Sequence, residues 1–242
     1  MTEKLFAKLD EYYDDSPRTA ATNMAIDEAL LETAQIPSIR FYRWNSPALS
    51  FGYFGKFADI ALHTNERDLV RRWTGGGIVF HGEDLTYSIV IPARDSAFAE
   101  SSMSIYENVH RALQNALIAS GANAELAQLH TNAGGRSSCD AKRGLAGARP
   151  STVSKACFAN PVRADVMMNG RKVAGAAQRR TRGGLLQQGS IQHADLGEGF
   201  EERLSGELST CCRRRQLNDQ IVQRAAEIAA GKYATEAWLR KR

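Results

Sequence analysis

Cys157 and Lys172 stand fifteen residues apart and are the two side chains best suited to covalent chemistry in this chain. A thiolate can attack an activated carbonyl, and a lysine ammonium can steady the carbonyl oxygen as it becomes anionic. The pair therefore points to acyl transfer. Lys172 precedes Val173-Ala174-Gly175-Ala176-Ala177, small residues that leave room for a ligand beside its long stem. Cys157 read alone is equally a small core residue, because free cysteine packs well in apolar surroundings. It becomes a nucleophile only beside a base or a charge that lowers its pKa, and Lys172 and His81 are the candidates.

A second group lies in Arg71-Arg72-Trp73-Thr74-Gly75-Gly76-Gly77-Ile78-Val79-Phe80-His81. Its glycines have neither the spacing of a phosphate loop nor that of a dinucleotide fingerprint, which leaves two readings open. They form a tight turn, or they let an elongated ligand lie against bare backbone with amides turned to its polar end. Consecutive strand residues point to opposite faces, so only one arginine can face a pocket directly, and Arg72 is nearer the glycines. His81 could shuttle a proton, orient a substrate or serve the structure alone.

These residues need elements to hold them. Residues 22–34 read as a helix, with Met24, Ala25, Leu30 and Leu31 at helical spacing and Pro37 beyond its end. Strands are expected over Ser38–Trp44, Leu49–Tyr53, Leu69–Trp73, Ile78–His81 and Leu85–Ile91, punctuated by Asn45-Ser46-Pro47, the triple glycine and Gly82-Glu83-Asp84. Ile105, Val109, Leu113 and Leu117 make the apolar stripe of a helix over residues 104–120. Residues 130–155 are rich in Gly, Ser and Arg and read as a surface loop. Asn169-Gly170 is a two-residue hairpin signal between strands 164–168 and 171–174, which carries Lys172 to a defined place. A further strand runs over 183–191, and residues 216–230 and 233–240 read as helices.

Composition narrows the class. The 242 residues are 43% hydrophobic and 24% charged, ordinary for one folded domain with a C-terminal helical segment from about residue 200. The first residues lack the pattern of a secretory signal, and no apolar run reaches membrane-spanning length, so the reading is cytoplasmic with no membrane partner. Cys139, Cys157, Cys211 and Cys212 fit neither a disulfide framework nor zinc-ligand spacing, so free thiols and no metal site are expected. The net charge of +4 and the basic runs at Arg179-Arg180-Thr181-Arg182 and Arg213-Arg214-Arg215 favour an anionic partner. Neither a helix-turn-helix nor a zinc-finger pattern is present, and aromatics are sparse among the arginines, which excludes nucleic acid.

With these segments in view, the chain resembles the lipoate-protein ligase and octanoyltransferase family, whose fold is shared by the catalytic domain of biotin protein ligase. The matching pieces are Asn23-Met24-Ala25-Ile26-Asp27-Glu28-Ala29-Leu30-Leu31, Arg40-Phe41-Tyr42-Arg43-Trp44, Ser50-Phe51-Gly52-Tyr53-Phe54, and the arginine and glycine stretch from Arg71 to His81. Cys157-Phe158, Gly170 to Arg180, Leu186 to Ile191 and the closing Lys232 to Trp238 continue the match. The resemblance implies an α/β (α+β) fold, a mixed and largely antiparallel sheet flanked by helices. It further implies that Lys172 touches the acyl carbonyl, that Gly75, Gly76, Gly77 and His81 line the acyl pocket, and that Cys157 forms the acyl-enzyme of the octanoyltransferase branch; Arg72, Gly175 and Ala176 are expected beside the same acyl substrate. The chain departs from the pattern at Gln188, where the family often has His, and at Ala176, where Ser is common.

Three functions follow from the resemblance. The first is transfer of an octanoyl or lipoyl group from acyl carrier protein, through Cys157, to a lysine of the lipoyl domain of a 2-oxoacid dehydrogenase or of the glycine cleavage H protein, with no cofactor. The second is ATP- and magnesium-dependent lipoate ligation through an acyl-adenylate, aided by a separate accessory subunit. The third is noncatalytic binding of lipoyl domains or acyl carriers. A thiol nucleophile is central only to the first, which is the preferred reading. The enzyme is expected to be a monomer, with Arg179, Arg180, Arg182, Arg213, Arg214 and Arg215 docking its acidic partners.

Overall fold

The computed structural model describes residues 4–128 and 161–241. Cys139, Cys157 and the whole of the expected surface loop over residues 130–155 lie outside the described residues. In chain order the elements are β1 (Leu9–Arg18), α1 (Ala20–Thr33), β2 (Ser38–Trp44), β3 (Ala48–Phe51), β4 (Asp68–Arg71), β5 (Ile78–His81), β6 (Leu85–Pro92), α2 (Ser102–Ala119) and β7 (Ala124–Leu126). They continue with β8 (Val166–Met168), β9 (Arg171–Arg180), β10 (Gly184–Ile191), α3 (Phe200–Leu208), β11 (Cys212–Arg215), α4 (Asp219–Ile228) and α5 (Glu236–Leu239).

Eight strands form one sheet in the order β11-β1-β2-β6-β10-β9-β8-β7. The β11–β1 and β1–β2 pairs are parallel and the other five antiparallel, giving the mixed, largely antiparallel sheet expected. Its central strand β6 shows why both faces are covered. Tyr87, Ile89 and Ile91 join the core under α2 and α3, while Val90 between them joins the core under α1 and α4. That period of two leaves no face for water, and all eight residues of β6 are buried. A small sheet, β4-β3-β5, has its own cluster of Leu49, Phe51, Ile60 and Ile78.

The helix starts are written in the sequence. Thr19 Oγ1 accepts the Thr22 amide (3.3 Å) ahead of α1, Ser101 Oγ the Ser104 amide (3.0 Å) ahead of α2, and Asn218 Oδ1 the Ile221 amide (2.9 Å) ahead of α4. Ile105, Val109, Leu113 and Leu117 are fully buried along α2, as their spacing requires.

One expectation is corrected. The chain beyond residue 200 is not wholly helical, because β11 intervenes and pairs in parallel with β1 from Leu9↔Cys212 to Tyr12↔Arg215. The strand is edge-exposed and carries Arg213 and Arg215 against Asp10, at 3.1 and 3.8 Å, with Arg214 stacked on Tyr13. Among the described residues no helix is long and apolar enough to cross a membrane.

Candidate active site

A small cavity of about 30 Å³, room for about two water molecules, lies between the two sheets. Its walls come from Met24 of α1, Tyr42 and Trp44 of β2, Ser50 of β3, Arg72 and Gly76, Val79 and His81 of β5, and Thr86 of β6. Gly175, Ala176 and Ala177 of β9 and Gln188, Gly189 and Ser190 of β10 complete it. Small residues on two adjacent strands leave the space, and the small sheet roofs it.

The two arginines separate as strand alternation demands. Arg72 turns inward, donating to Ser50 Oγ (2.5 Å) and to the carbonyls of Gly75 (3.2 Å) and Gly77 (2.9 Å). Arg71 turns the other way and donates to the carbonyls of Tyr53, Gly55, Trp238, Leu239 and Lys241, fastening the C-terminal segment. Of the three glycines only Gly76 reaches the cavity wall. Gly75 and Gly77 do not, and their carbonyls accept from Arg72; the turn needs Gly76 at φ +86°, a conformation that side chains disfavour.

His81 is a cavity residue held from three sides. Its Nδ1 lies 2.8 Å from Asp84 Oδ2, its Nε2 2.6 Å from Ser50 Oγ, and its ring stacks on Trp44 at 4.0 Å. Burial pushes the imidazole below its ordinary pKa, against the pull of Asp84. Burial by itself would raise the Asp84 carboxyl, but bonds from His81, Ser190 and the Gly82 amide outweigh it and hold the group at about 2. These partners fix the tautomer: neutral His81 donates from Nδ1 to the carboxylate and accepts the Ser50 hydroxyl proton at Nε2. The chain Arg72–Ser50–His81–Asp84 gives the cavity one rigid polar wall.

Gln188 replaces the histidine of the family pattern without leaving a polar atom stranded. Its Nε2 donates to Asp27 Oδ2 (2.7 Å), and its Oε1 accepts the Thr74 hydroxyl (2.8 Å). Asp27, fully buried, also accepts from Arg40 (2.9 Å), Tyr42 (3.1 Å) and Ser88 (2.7 Å). Buried carboxylates persist only when paired and saturated in this way.

Lys172 is 3% exposed, and its Nζ lies 2.8 Å from Asp165 Oδ2. Asn169 (φ 51°) and Gly170 (φ 73°) form the expected left-handed turn, and Met167 then pairs with Lys172. The register shifts by one immediately afterwards, so that Val166 faces Ala174 and Val173 is an extra residue. That bulge reverses the alternation of β9. Lys172 and Gly175, three apart and otherwise on opposite faces, share one face. A Cβ on Gly175 would stand 2.5 Å from Lys172 Cε and 2.6 Å from its Nζ. The amine thus lies across a glycine that itself lines the cavity.

The structure brings Arg72, Gly76, His81, Gly175 and Ala176 to one cavity with Lys172 against its wall; Cys157 lies outside the described residues. The basic runs do not meet. Five strand spacings separate β11 from β9, about 24 Å across the sheet. Arg180 is engaged by the carbonyls of Phe98 (2.7 Å) and Glu100 (2.6 Å), Arg179 lies 5.2 Å from the Tyr53 and Trp73 rings, and Arg182 is exposed. Sequence reasoning missed Ser50, Asp84, Asp27 and Asp165. Asp84 carried a signal, a carboxylate three residues beyond His81 across a turn. Cys211 and Cys212 are free thiols, and burial pushes that of Cys212 up to about 11. Among the described residues no group of three or more His, Cys, Asp or Glu could hold a metal ion.

The chain belongs to the lipoyl protein ligase A/B catalytic domain family, which it matches over residues 19–207. It is 37% identical over 188 residues to the octanoyltransferase LipM of Oceanobacillus iheyensis, a match covering 74% of this chain and 62% of that one. To the LipM of Halalkalibacterium halodurans it is 36% identical over 188 residues, 74% and 64% of the two chains. The match thus spans a little over six-tenths of the length of these relatives. A bipartite lipoate protein ligase from Thermoplasma acidophilum shares the fold at a TM-score of 0.66 and 20% identity, over 97% of this chain and 96% of that one.

Proposed function

We propose that this protein is an octanoyltransferase of protein lipoylation, working through Cys157 and Lys172. The observation that carries the reading is the Lys172 amine, buried and laid over Gly175 beside a cavity walled by Ala176 and Ala177. In that place an ammonium meets the carbonyl of an acyl chain lodged between the sheets. Similarity to octanoyltransferases at 36–37% identity supports the same assignment.

The Cys157 thiolate attacks the carbonyl of an octanoyl thioester on acyl carrier protein. A new carbon–sulfur bond forms as the carrier's bond breaks, and the carrier thiolate leaves and takes a proton from solvent. Lys172 steadies the negative charge on the carbonyl oxygen during the attack. The neutral amine of a lipoyl-domain lysine then attacks octanoyl-Cys157, the amide forms, its extra proton is lost to solvent, and the thiolate returns. Arg179 and Arg182 lie on the strand and turn that follow the cavity residues of β9, and dock the acidic partner proteins there; the β11 arginines form a separate patch. The cycle calls for neither ATP nor magnesium. On this reading the catalytic domain acts in the cytoplasm as a monomer.

Intact mass of the wild type and of Cys157→Ala after incubation with octanoyl acyl carrier protein, without ATP, tests the proposal. One octanoyl group on the wild type alone is the expected result. An unmodified wild type that modifies a lipoyl domain only with ATP would overturn it in favour of ligation, and no reaction under either condition would leave the noncatalytic binder.

A further inference from the structure

Lys172 has a flexible four-carbon stem, and a buried ammonium stays charged and in place only where a fixed anion holds it. The fixed anion is Asp165, fully buried and outside the cavity lining. Its Oδ2 accepts the Val162 amide (2.6 Å) and faces Lys172 Nζ (2.8 Å); its Oδ1 accepts the Tyr106 hydroxyl (2.6 Å). Tyr106 Oη in turn accepts the Ala176 amide at 3.2 Å, on the edge of β9 beyond its pairing with β8.

The backbone around the carboxylate is equally determined. Ala164, at φ 66°, has its amide bonded to the Ala127 carbonyl (2.9 Å), and the Ala127 amide returns to the Asp165 carbonyl (2.8 Å). His110 Nδ1 lies 2.6 Å from the Ala164 carbonyl. Holding a non-glycine residue in the left-handed region costs stability and persists where the surroundings over-determine it. Helix α2, the 161–165 turn and β9 thus converge on one carboxylate whose contacts are all spoken for, with one of them the Lys172 amine.

We infer that Asp165, braced by Tyr106, is the positioning residue that fixes the Lys172 amine across Gly175 toward the cavity. This deepens the transferase reading, on which Lys172's contact with the acyl carbonyl rests. Asp165 touches no substrate; it acts through Lys172. Tyr106 links the carboxylate to the backbone of the cavity wall, so amine and wall keep their mutual distance.

Asp165→Asn keeps the shape and one acceptor oxygen but removes the charge. In the full chain, turnover from octanoyl acyl carrier protein is expected to fall about 100-fold, as for a catalytic group displaced by an ångström, with KM changed less than about threefold. An amine-reactive acylating reagent followed by peptide mass mapping reads the position independently of activity. Lys172, protected in the wild type, is expected to label at least about tenfold faster in Asp165→Asn, the other lysines being unchanged, because a released amine reaches solvent. Equal Lys172 labelling in the two proteins, or turnover within about threefold of wild type, overturns the inference. A wild type that forms no Cys157 adduct overturns the transferase reading instead, and the labelling comparison still decides the positioning. If Asp165→Asn does not fold cooperatively, Tyr106→Phe carries both comparisons, and wild-type labelling with wild-type turnover in that variant overturns the inference.

Discussion

Gly175→Ala puts the whole arrangement to one test. The added Cβ would lie 2.5 Å from Lys172 Cε, 2.6 Å from Nζ and 3.1 Å from Asp165 Oδ1. Carbon contacts are comfortable only at about 3.5 Å or more, so the end of Lys172 must retreat by roughly 1 Å. The carboxylate cannot follow it, because Tyr106 and the Val162 amide hold both oxygens. A misplacement of about 1 Å of a group that meets the reacting carbonyl costs about 100-fold in rate, or about 2.7 kcal/mol of barrier. The assay is single-turnover formation of octanoyl-Cys157, followed by intact mass, with thermal unfolding run in parallel to confirm that the variant is folded. The expected result is a folded protein acylated about 100-fold more slowly. A folded Gly175→Ala protein acylated within about threefold of the wild-type rate would refute the reasoning, since Lys172 would then not need its place across the glycine.

Two further outcomes concern stability. A Cβ at Gly189 would stand 2.3 Å from Cζ and 2.4 Å from Oη of the buried Tyr87, its partner on β6, so Gly189→Ala is expected to lower Tm by about 3–10 °C, the effect of about 1–3 kcal/mol of overpacking. Gly206→Ala, exposed within α3 with nothing near the new methyl, is expected to raise Tm instead, and thermal melts of the two variants check the contrast. Burial lowers the pKa of His110 to about 4 and also lowers that of His81, whereas unfolded histidine titrates near 6.5. The unfolded chain therefore binds more protons, and stability, complete above pH 6.5, is lost as pH falls toward 4, on the order of 3 kcal/mol for His110. Urea unfolding from pH 7 to 4.5 should show the decline, and His110→Asn, which keeps a donor for the Ala164 carbonyl, should flatten it; an unchanged slope would remove His110 as the cause.

Where local chemistry decided the structure, the sequence was readable. Asn169-Gly170 specified a left-handed turn, the four apolar residues of α2 specified its buried face, and Arg71-Arg72 specified a split across a strand. Where partners far along the chain decided it, the sequence was opaque. β1 reads Leu-Asp-Glu-Tyr-Tyr-Asp-Asp-Ser-Pro-Arg and β11 reads Cys-Arg-Arg-Arg, both too polar to announce strands; β11 exists because β1 pairs with it, and β1 because it pairs with β11 and β2. Ser50 and Asp27 looked like ordinary strand and helix residues until the sheets met over them. Asp165 was closer to view, on the same face as Met167 across the hairpin from Lys172, a diagonal neighbour once the hairpin is accepted. The bulge at Val173 was not visible, since no glycine or proline marks it.

That bulge makes residue count a determinant of chemistry. Two residues lie between Lys172 and Gly175, a spacing that in a regular strand would set them on opposite faces; only with Val173 left out of the pairing do the amine and its glycine share one face. In this strand a one-residue deletion or insertion is a different kind of event from a substitution: unless the bulge is lost or gained with it, it leaves the parts intact and turns one of them around. The spacing between Lys172 and Gly175 is therefore as much a part of the site as either residue.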